Sequence, residues 1–208
     1  MKVLMINGSP NKQGCTFTAL SETAAELERL GIESEIVWLG KEPIRDCIGC
    51  KACRKLDCKC VFDDDLINTI IDKAKQSDGF VFGSPVYYAH ASGRLLSVLD
   101  RVFYAGGAAF SHKPGAAVVS ARRSGTTASF DDINKYFGIA SMPTVPSTYW
   151  NNVHGNASDQ VKQDLEGLQT MRNLAKNMAW MLKCIEAGKQ AGIAPPAPER
   201  DSQTNFIR

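Results

Sequence analysis

Five cysteines, Cys47, Cys50, Cys53, Cys58 and Cys60, fall within 14 residues of a 208-residue chain. Thiolates bind zinc and iron–sulfur clusters, and activated thiols carry out redox exchange, so this stretch is the first place to look for chemistry. Three cysteines at steps of three can wrap one [4Fe–4S] cube, with a fourth arriving from a short loop. Bacterial ferredoxins share the C-x2-C-x2-C step, but their next cysteine follows after three residues and precedes proline. Here the next is Cys58, after four residues, or Cys60, after six, and proline follows neither. Two other readings stay open. Cys47-x2-Cys50 with Cys58-x-Cys60 could hold zinc, although structural zinc pairs usually stand farther apart. The loop could also carry no metal and act as a redox-sensing module through Cys50 and its neighbours. Cys15 and Cys184 bring the total to seven. An odd count, without a secretory signal layout at the N-terminus, argues against a disulfide framework and for a reducing, cytoplasmic setting. Cys184, on an apolar helix face, is expected to be a buried small hydrophobe.

A second set of residues suits an anion and a flat ring. Gly8-Ser9-Pro10-Asn11-Lys12-Gln13-Gly14-Cys15-Thr16 joins a strand-like run to a helix-like one. Free N–H groups at a helix start attract an anion. Ser9 and Thr16 add hydroxyl donors, and Gly14 lets the backbone come close. The spacing excludes a nucleotide P-loop, because five residues separate the glycines and Cys15 follows Gly14; the Gly-x-Gly-x-x-Gly dinucleotide pattern is absent. A monophosphate cradle is left, against the alternative of a polar turn without a ligand. Gly83-Ser84-Pro85-Val86-Tyr87-Tyr88-Ala89-His90 offers a proline-fixed turn and tyrosine faces for a planar ring. Ala121-Arg122-Arg123-Ser124-Gly125-Thr126 offers backbone donors and positive charge, which would stabilise the N1/C2 edge of a reduced flavin. Three such loops on one sheet edge would form a flavin mononucleotide site.

The elements that must position these loops alternate between strand and helix patterns. Strands are expected at residues 2–6, 33–39, 79–83, 116–120 and within 144–150. Helices are expected from Phe17 to a stop at Gly31, from Leu66 to Ala74, over 92–104 and 127–137, and through 157–187. The Asp63-Asp64-Asp65 run favours the second helix start. Leu66, Leu165, Leu168 and Met171 are among the residues expected to face the core. Five strand–helix units in series imply α/β architecture: a doubly wound, five-stranded parallel sheet of order 2-1-3-4-5 with helices on both faces. Ligands then bind beyond the carboxyl ends of the strands, after strands 1, 3 and 4. One domain is expected over 1–190, with a cysteine-rich insertion at 46–62 and a Pro-rich C-terminal arm at 191–208.

Composition narrows the functions further. Lys plus Arg is 24 and Asp plus Glu is 22, a net charge of +2 with no run of five or six like charges. Nucleic-acid and membrane-surface partners are therefore not expected, and no apolar run reaches the ~18 residues of a membrane span. The near-neutral balance also differs from the strong acidity of a flavodoxin carrier.

The paired Gly-Ser-Pro loops, Gly8-Ser9-Pro10 through Thr16 and Gly83 through Tyr87, resemble the flavodoxin-like NAD(P)H-dependent FMN reductase family. The cysteine stretch and the Asp-rich helix start after it resemble the iron–sulfur flavoprotein branch. The segments Tyr149-Trp150-Asn151-Asn152-Val153-His154-Gly155 and Glu166-Gly167-Leu168-Gln169 are similar to parts of bacterial members. The resemblance implies noncovalent FMN, reduced by NADH or NADPH and reoxidised by a quinone, nitroaromatic or similar small acceptor, in a homodimer or homotetramer. The alternative is an electron carrier relaying single electrons between FMN, a [4Fe–4S] cluster and protein partners. By motif match, Ser9, Asn11, Gly14, Cys15 and Thr16 would hold the phosphate. Pro85, Val86, Tyr87 and Tyr88 would wall the isoalloxazine, and Arg122, Ser124 and Gly125 would contact its pyrimidine side. Cys47, Cys50, Cys53 and Cys60 would bind the cluster, with Cys58 supernumerary. Hydride transfer to a flavin needs placement more than acid–base groups, so no catalytic side chain is assigned. His90, His154 and Trp150 fall near the ligand edge, where loop or packing roles are the default.

Overall fold

The computed structural model describes residues 1–199, 201, 202 and 204. Among the described residues, six strands form one sheet of order β2-β1-β3-β5-β6, with β4 paired outside this path. β1 (Lys2–Asn7) pairs in parallel with β2 (Glu33–Trp38) and with β3 (Gly79–Tyr87). β3 pairs in parallel with β5 (Gly115–Ala121), and β5 with β6 (Asn152–His154). Leaving aside β4 (His90–Ala91), a two-residue antiparallel arm on the end of β3, this is the expected 2-1-3-4-5 order.

Strand alternation divides the core in two. Leu4, Ile6, Phe80, Phe82, Ala117 and Val119 face α2 (Ile67–Lys75), α3 (Gly93–Gly106) and α4 (Thr126–Ile139). Val3, Met5, Val81, Ala116 and Val118 face α1 (Cys15–Arg29) and α6 (Leu165–Gln190). A sheet covered on both faces explains why its strands read as unbroken apolar runs rather than alternating ones. Phe82 is the aromatic centre of the first layer, 5.7 Å from Phe137 and 6.1 Å from Phe103 between ring centroids. α1 approaches β3 closely because Gly83 has no side chain: a Cβ there would stand 2.8 Å from Thr16 Cγ2.

Several expectations are corrected. The fifth strand does not run within 144–150. Thr144 forms one parallel bridge with Gly115, the chain then leaves the sheet, and pairing resumes at Asn152. Pro143 and Pro146 flank that bridge and have no N–H to donate to a ladder. The third strand continues through Tyr87 instead of ending at Gly83. The long helical region divides into a single turn, α5 (Ser158–Val161), and α6, which Asp164 caps by accepting the Gly167 N–H at 2.9 Å. Leu165, as the first residue of α6, is exposed. Leu66 is also exposed, at the start of α2, where the Asp65 carboxylate accepts the Ile67 N–H. Cys184 is exposed rather than buried. It lies two residues past the buried Leu182, about 200° around the helix. α6 ends at Gln190; residues 200, 203 and 205–208 of the arm expected over 191–208 lie outside the described residues. Among the described residues, no helix is long and apolar enough to cross a membrane.

The start of the sheet carries a small ion-pair network. Glu35 accepts from Lys73 Nζ at 2.5 Å and from Lys2 Nζ at 2.9 Å. These bonds hold the Glu35 carboxyl below its ordinary range. A carboxylate with a depressed folded-state pKa adds stability above its unfolded pKa and loses it as pH falls through the folded value. Glu35→Gln should therefore lower unfolding free energy at pH 7 by about 0.5–1 kcal/mol, as for partly exposed pairs. The difference from the parent should vanish in urea melts carried below the carboxylate range.

Candidate functional site

The three polar loops after β1, β3 and β5 are tied to one another at the carboxyl edge of the sheet. The first begins with a backbone bond from Gly8 N–H to Gly83 O at 2.9 Å. Ser92, which caps α3, donates its hydroxyl to Gly8 O at 3.1 Å and its N–H to Ser84 Oγ at 2.9 Å. Thr16 and Ser120 share a buried hydroxyl–hydroxyl bond of 2.8 Å, joining the start of α1 to the end of β5. The third loop packs on the second at Gly125. Its φ of +91° suits glycine, and a Cβ there would stand 2.8 Å from Val86 Cγ1.

Within the first loop, Ser9 Oγ accepts the Asn11 N–H at 3.1 Å, and Asn11 O accepts the Gly14 N–H at 3.2 Å. The first intrahelical bond of α1 runs from Thr18 N–H to Gly14 O, and no side chain caps the helix. The N–H groups of Cys15, Thr16 and Phe17 thus precede the ladder, and α1 has no acid in its first turn to compete with an anion. These features fit a phosphate. The side chains are less free than the sequence suggests. The Cys15 thiol, pushed up in pKa by burial, points to Gly155 O at 3.5 Å, and the Thr16 hydroxyl is shared with Ser120. The backbone N–H groups thus stand beside these side chains as donors.

Around this cradle, Pro85 is buried, Val86 is half-buried, and Tyr87 and Tyr88 are exposed. Tyr88 holds a left-handed φ of +65° and stands fully in solvent. Burial raises the Tyr87 phenol pKa, opposed by the Ser9 hydroxyl and the charge of Arg94. Arg122 and Ser124 are exposed beside half-buried Gly125, and no ion pair forms at Arg122 among the described residues. Trp150 is half-exposed and packs against Phe130 at 5.5 Å. His90 is exposed, with Nδ1 2.7 Å from Ala91 O, and His154 is exposed near Asp164. Trp38, which sequence reading passed over, donates Nε1–H to Ser9 O at 2.8 Å and lies under Lys12. Its position at the end of the second strand-like run, level with the Gly-Ser-Pro loop, was the available signal.

The cysteine stretch leaves this edge and follows α3. Arg94 bonds the carbonyls of Lys41 and Glu42 near the start of that helix, and Cys53 Sγ reaches Tyr104 O at its far end. A cavity of about 180 Å3 opens between them, lined by Cys47, Cys50, Cys53 and Cys60 together with Phe62, Arg101 and Tyr104. Cys58 does not line it. Among the described residues, no group of three or more His, Cys, Asp or Glu side chains is placed to hold a single metal ion. Four cysteines do line one cavity, which is the ligand number and type that an iron–sulfur cluster needs.

Two residues that sequence reading missed hold this wall. Asn68 accepts the Cys60 N–H at 2.8 Å and donates to the carbonyls of Cys60 and Phe62 and to the Asp63 carboxylate. Arg101, only 1% exposed, forms a two-point ion pair with Asp65 and donates Nη2–H to Cys60 Sγ at 3.4 Å. Burial pulls the Arg101 pKa down, but Asp65 and Cys60 outweigh it and hold the pKa above its usual value. A charged residue beside Val98 and Val102 on the buried face of a helix was the signal that could have found it.

A family model described as NADPH-dependent FMN reductase matches residues 1–157. An iron-sulfur flavoprotein of Methanocaldococcus jannaschii is 34% identical over 194 residues, covering 89% of this chain and 100% of that protein. An iron-sulfur flavoprotein of Methanosarcina thermophila is 29% identical over 195 residues, covering 91% and 99%. Among solved structures, an NADH:FMN oxidoreductase in its apo form aligns with a TM-score of 0.64 at 14% identity, over 86% of this chain and 89% of that one. A flavodoxin from the domain Archaea aligns at 0.59 and 14% identity, over 88% and 99%. The structural likeness speaks to fold, and the sequence match to kinship: the chain belongs to the NADPH-dependent FMN reductase family.

Proposed function

We propose that this protein is an FMN-dependent oxidoreductase that moves electrons between FMN and a [4Fe–4S] cluster held by Cys47, Cys50, Cys53 and Cys60. The carrying observation is that these four cysteines line one cavity from which Cys58 is left out. When bound, FMN would supply two-electron chemistry with a nicotinamide, NADH or NADPH, as well as single-electron steps, and the cluster single electrons only. The protein's own part is binding and placement. The N–H groups at the start of α1 would hold the phosphate, with Ser9 and Asn11 shaping the loop and Gly14 keeping its surface open. Pro85, Val86 and Tyr87 would form one wall of the ring site. Arg122, Ser124 and the Gly125 backbone would place donors and positive charge at the pyrimidine side. Asn68 would fix Cys60 for ligation.

A second reading has a quinone, nitroaromatic or similar small molecule as the terminal acceptor. The exposed faces of Tyr87, Tyr88 and Trp150 favour it, because they leave flat apolar surface beside the ring site. Membership of the family also supports a homodimer or homotetramer.

Iron and acid-labile sulfide analysis of anaerobically purified serine variants tests the ligand set. Cys60→Ser should lose most of its iron, whereas Cys58→Ser should keep about four irons per chain. The reverse pattern would reassign the fourth ligand, and no iron in the parent would refute the cluster. The phosphate site has its own test. Asn11→Asp is nearly isosteric at an exposed position. Its carboxylate should weaken FMN binding about tenfold in a fluorescence titration while leaving the thermal midpoint of the apoprotein unchanged.

A further inference from the structure

We infer that Arg101 is a positioning residue that raises the reduction potential of the cluster by directing fixed positive charge and N–H donors at its Cys60 side. The inference rests on the cluster reading above and adds a group that the cysteine spacing does not reveal. Arg101 lines the cysteine cavity from α3 and is buried to 1% exposure. One face of its guanidinium is taken by Asp65 and by Arg45 O at 3.2 Å. Nη2–H also reaches Cys60 Sγ, and Nε–H has no partner among the described residues. A buried N–H without an acceptor is unfavourable, so this one is a donor open to an acceptor. Thiolate and sulfide sulfurs in the cavity would supply it.

The sign follows from charge. Reduction adds one electron, taken from an added reductant, to the cluster, with no bond made or broken in the protein. Net charge and hydrogen bonds to sulfur set such potentials. N–H donors and a nearby cation stabilise the more negative, reduced state. Asp65 stands behind Arg101 and partly offsets that cation. The two residues therefore act in opposite directions on one observable, which simple structural support would not produce.

The experiment is an anaerobic redox titration of the purified holoprotein, followed by EPR of the reduced cluster, with iron counted in each sample. Arg101→Gln should shift the one-electron equilibrium at least tenfold toward the oxidised cluster, a fall of at least about 59 mV. Asp65→Asn should shift it the other way, and Arg101→Lys, which keeps the charge, should fall between Arg101→Gln and the parent. Should Arg101→Gln fail to fold or to keep iron, the Asp65→Asn and Arg101→Lys samples carry the same test. Iron-replete variants with the parent's potential would overturn the role of Arg101 and leave the cluster standing. A parent chain without iron would instead overturn the cluster, and this inference with it.

Discussion

Parallel strand pairing is the constraint from which the rest of this molecule follows. It sends the carboxyl ends of β1, β3 and β5 to a single edge and requires a crossover helix to begin or end near each of them. Loops that begin at Gly8, Gly83 and Ala121 therefore meet. Three buried polar ties then fix their spacing: Gly8 to Gly83, Ser92 to Gly8, and Thr16 to Ser120. Each satisfies groups that burial would otherwise penalise, so the arrangement of the loops is bound up with the stability of the core. Gly83 and Gly125 serve the same geometry by leaving room where a Cβ would collide.

α3 links this edge to the cysteine cavity. Its cap, Ser92, bonds the first loop, and eight residues past its first residue, about 12 Å along the axis, Arg101 faces Cys60. Burying a guanidinium is costly unless a partner and hydrogen bonds compensate. Asp65, the Arg45 carbonyl and Cys60 do so, and the ring of Phe62 lies 5.5 Å from the guanidinium carbon. The helix face that packs against β3 thus also anchors an otherwise irregular loop, in which Gly49, Lys51 and Cys58 all adopt positive φ. Removing the Arg101–Asp65 pair would loosen the wall that carries Cys60.

Much of the fold could be read from the chain because its determinants are local. Unbroken apolar runs mark buried parallel strands, and the glycines and serines between them mark the turns. Where geometry depends on distant contacts, the reading failed. The fifth strand is split because Pro143 and Pro146 interrupt its ladder and only Thr144 bridges Gly115. Cys184 carries an apolar label but sits about 200° from the buried Leu182. The site shows the same division. Residues named by motif do gather on one edge, where the Thr16 hydroxyl also bonds Ser120 and the Cys15 thiol points to Gly155 O. Trp38, Asn68 and Arg101 act through partners 8 to 41 residues away, and no spacing rule reaches them. Cys58 and Cys60 carry the same thiol chemistry; the cavity lining and the bonds of Asn68 and Arg101 to Cys60 distinguish them in the structure.

The central claim is that one chain holds both a flavin and a four-iron cluster, joined through α3. Native mass spectrometry of the anaerobically isolated protein addresses it directly. The account predicts a mass per chain that exceeds the polypeptide by one FMN and one four-iron, four-sulfide core. A chain carrying FMN alone, with every thiol free to alkylation, would contradict it.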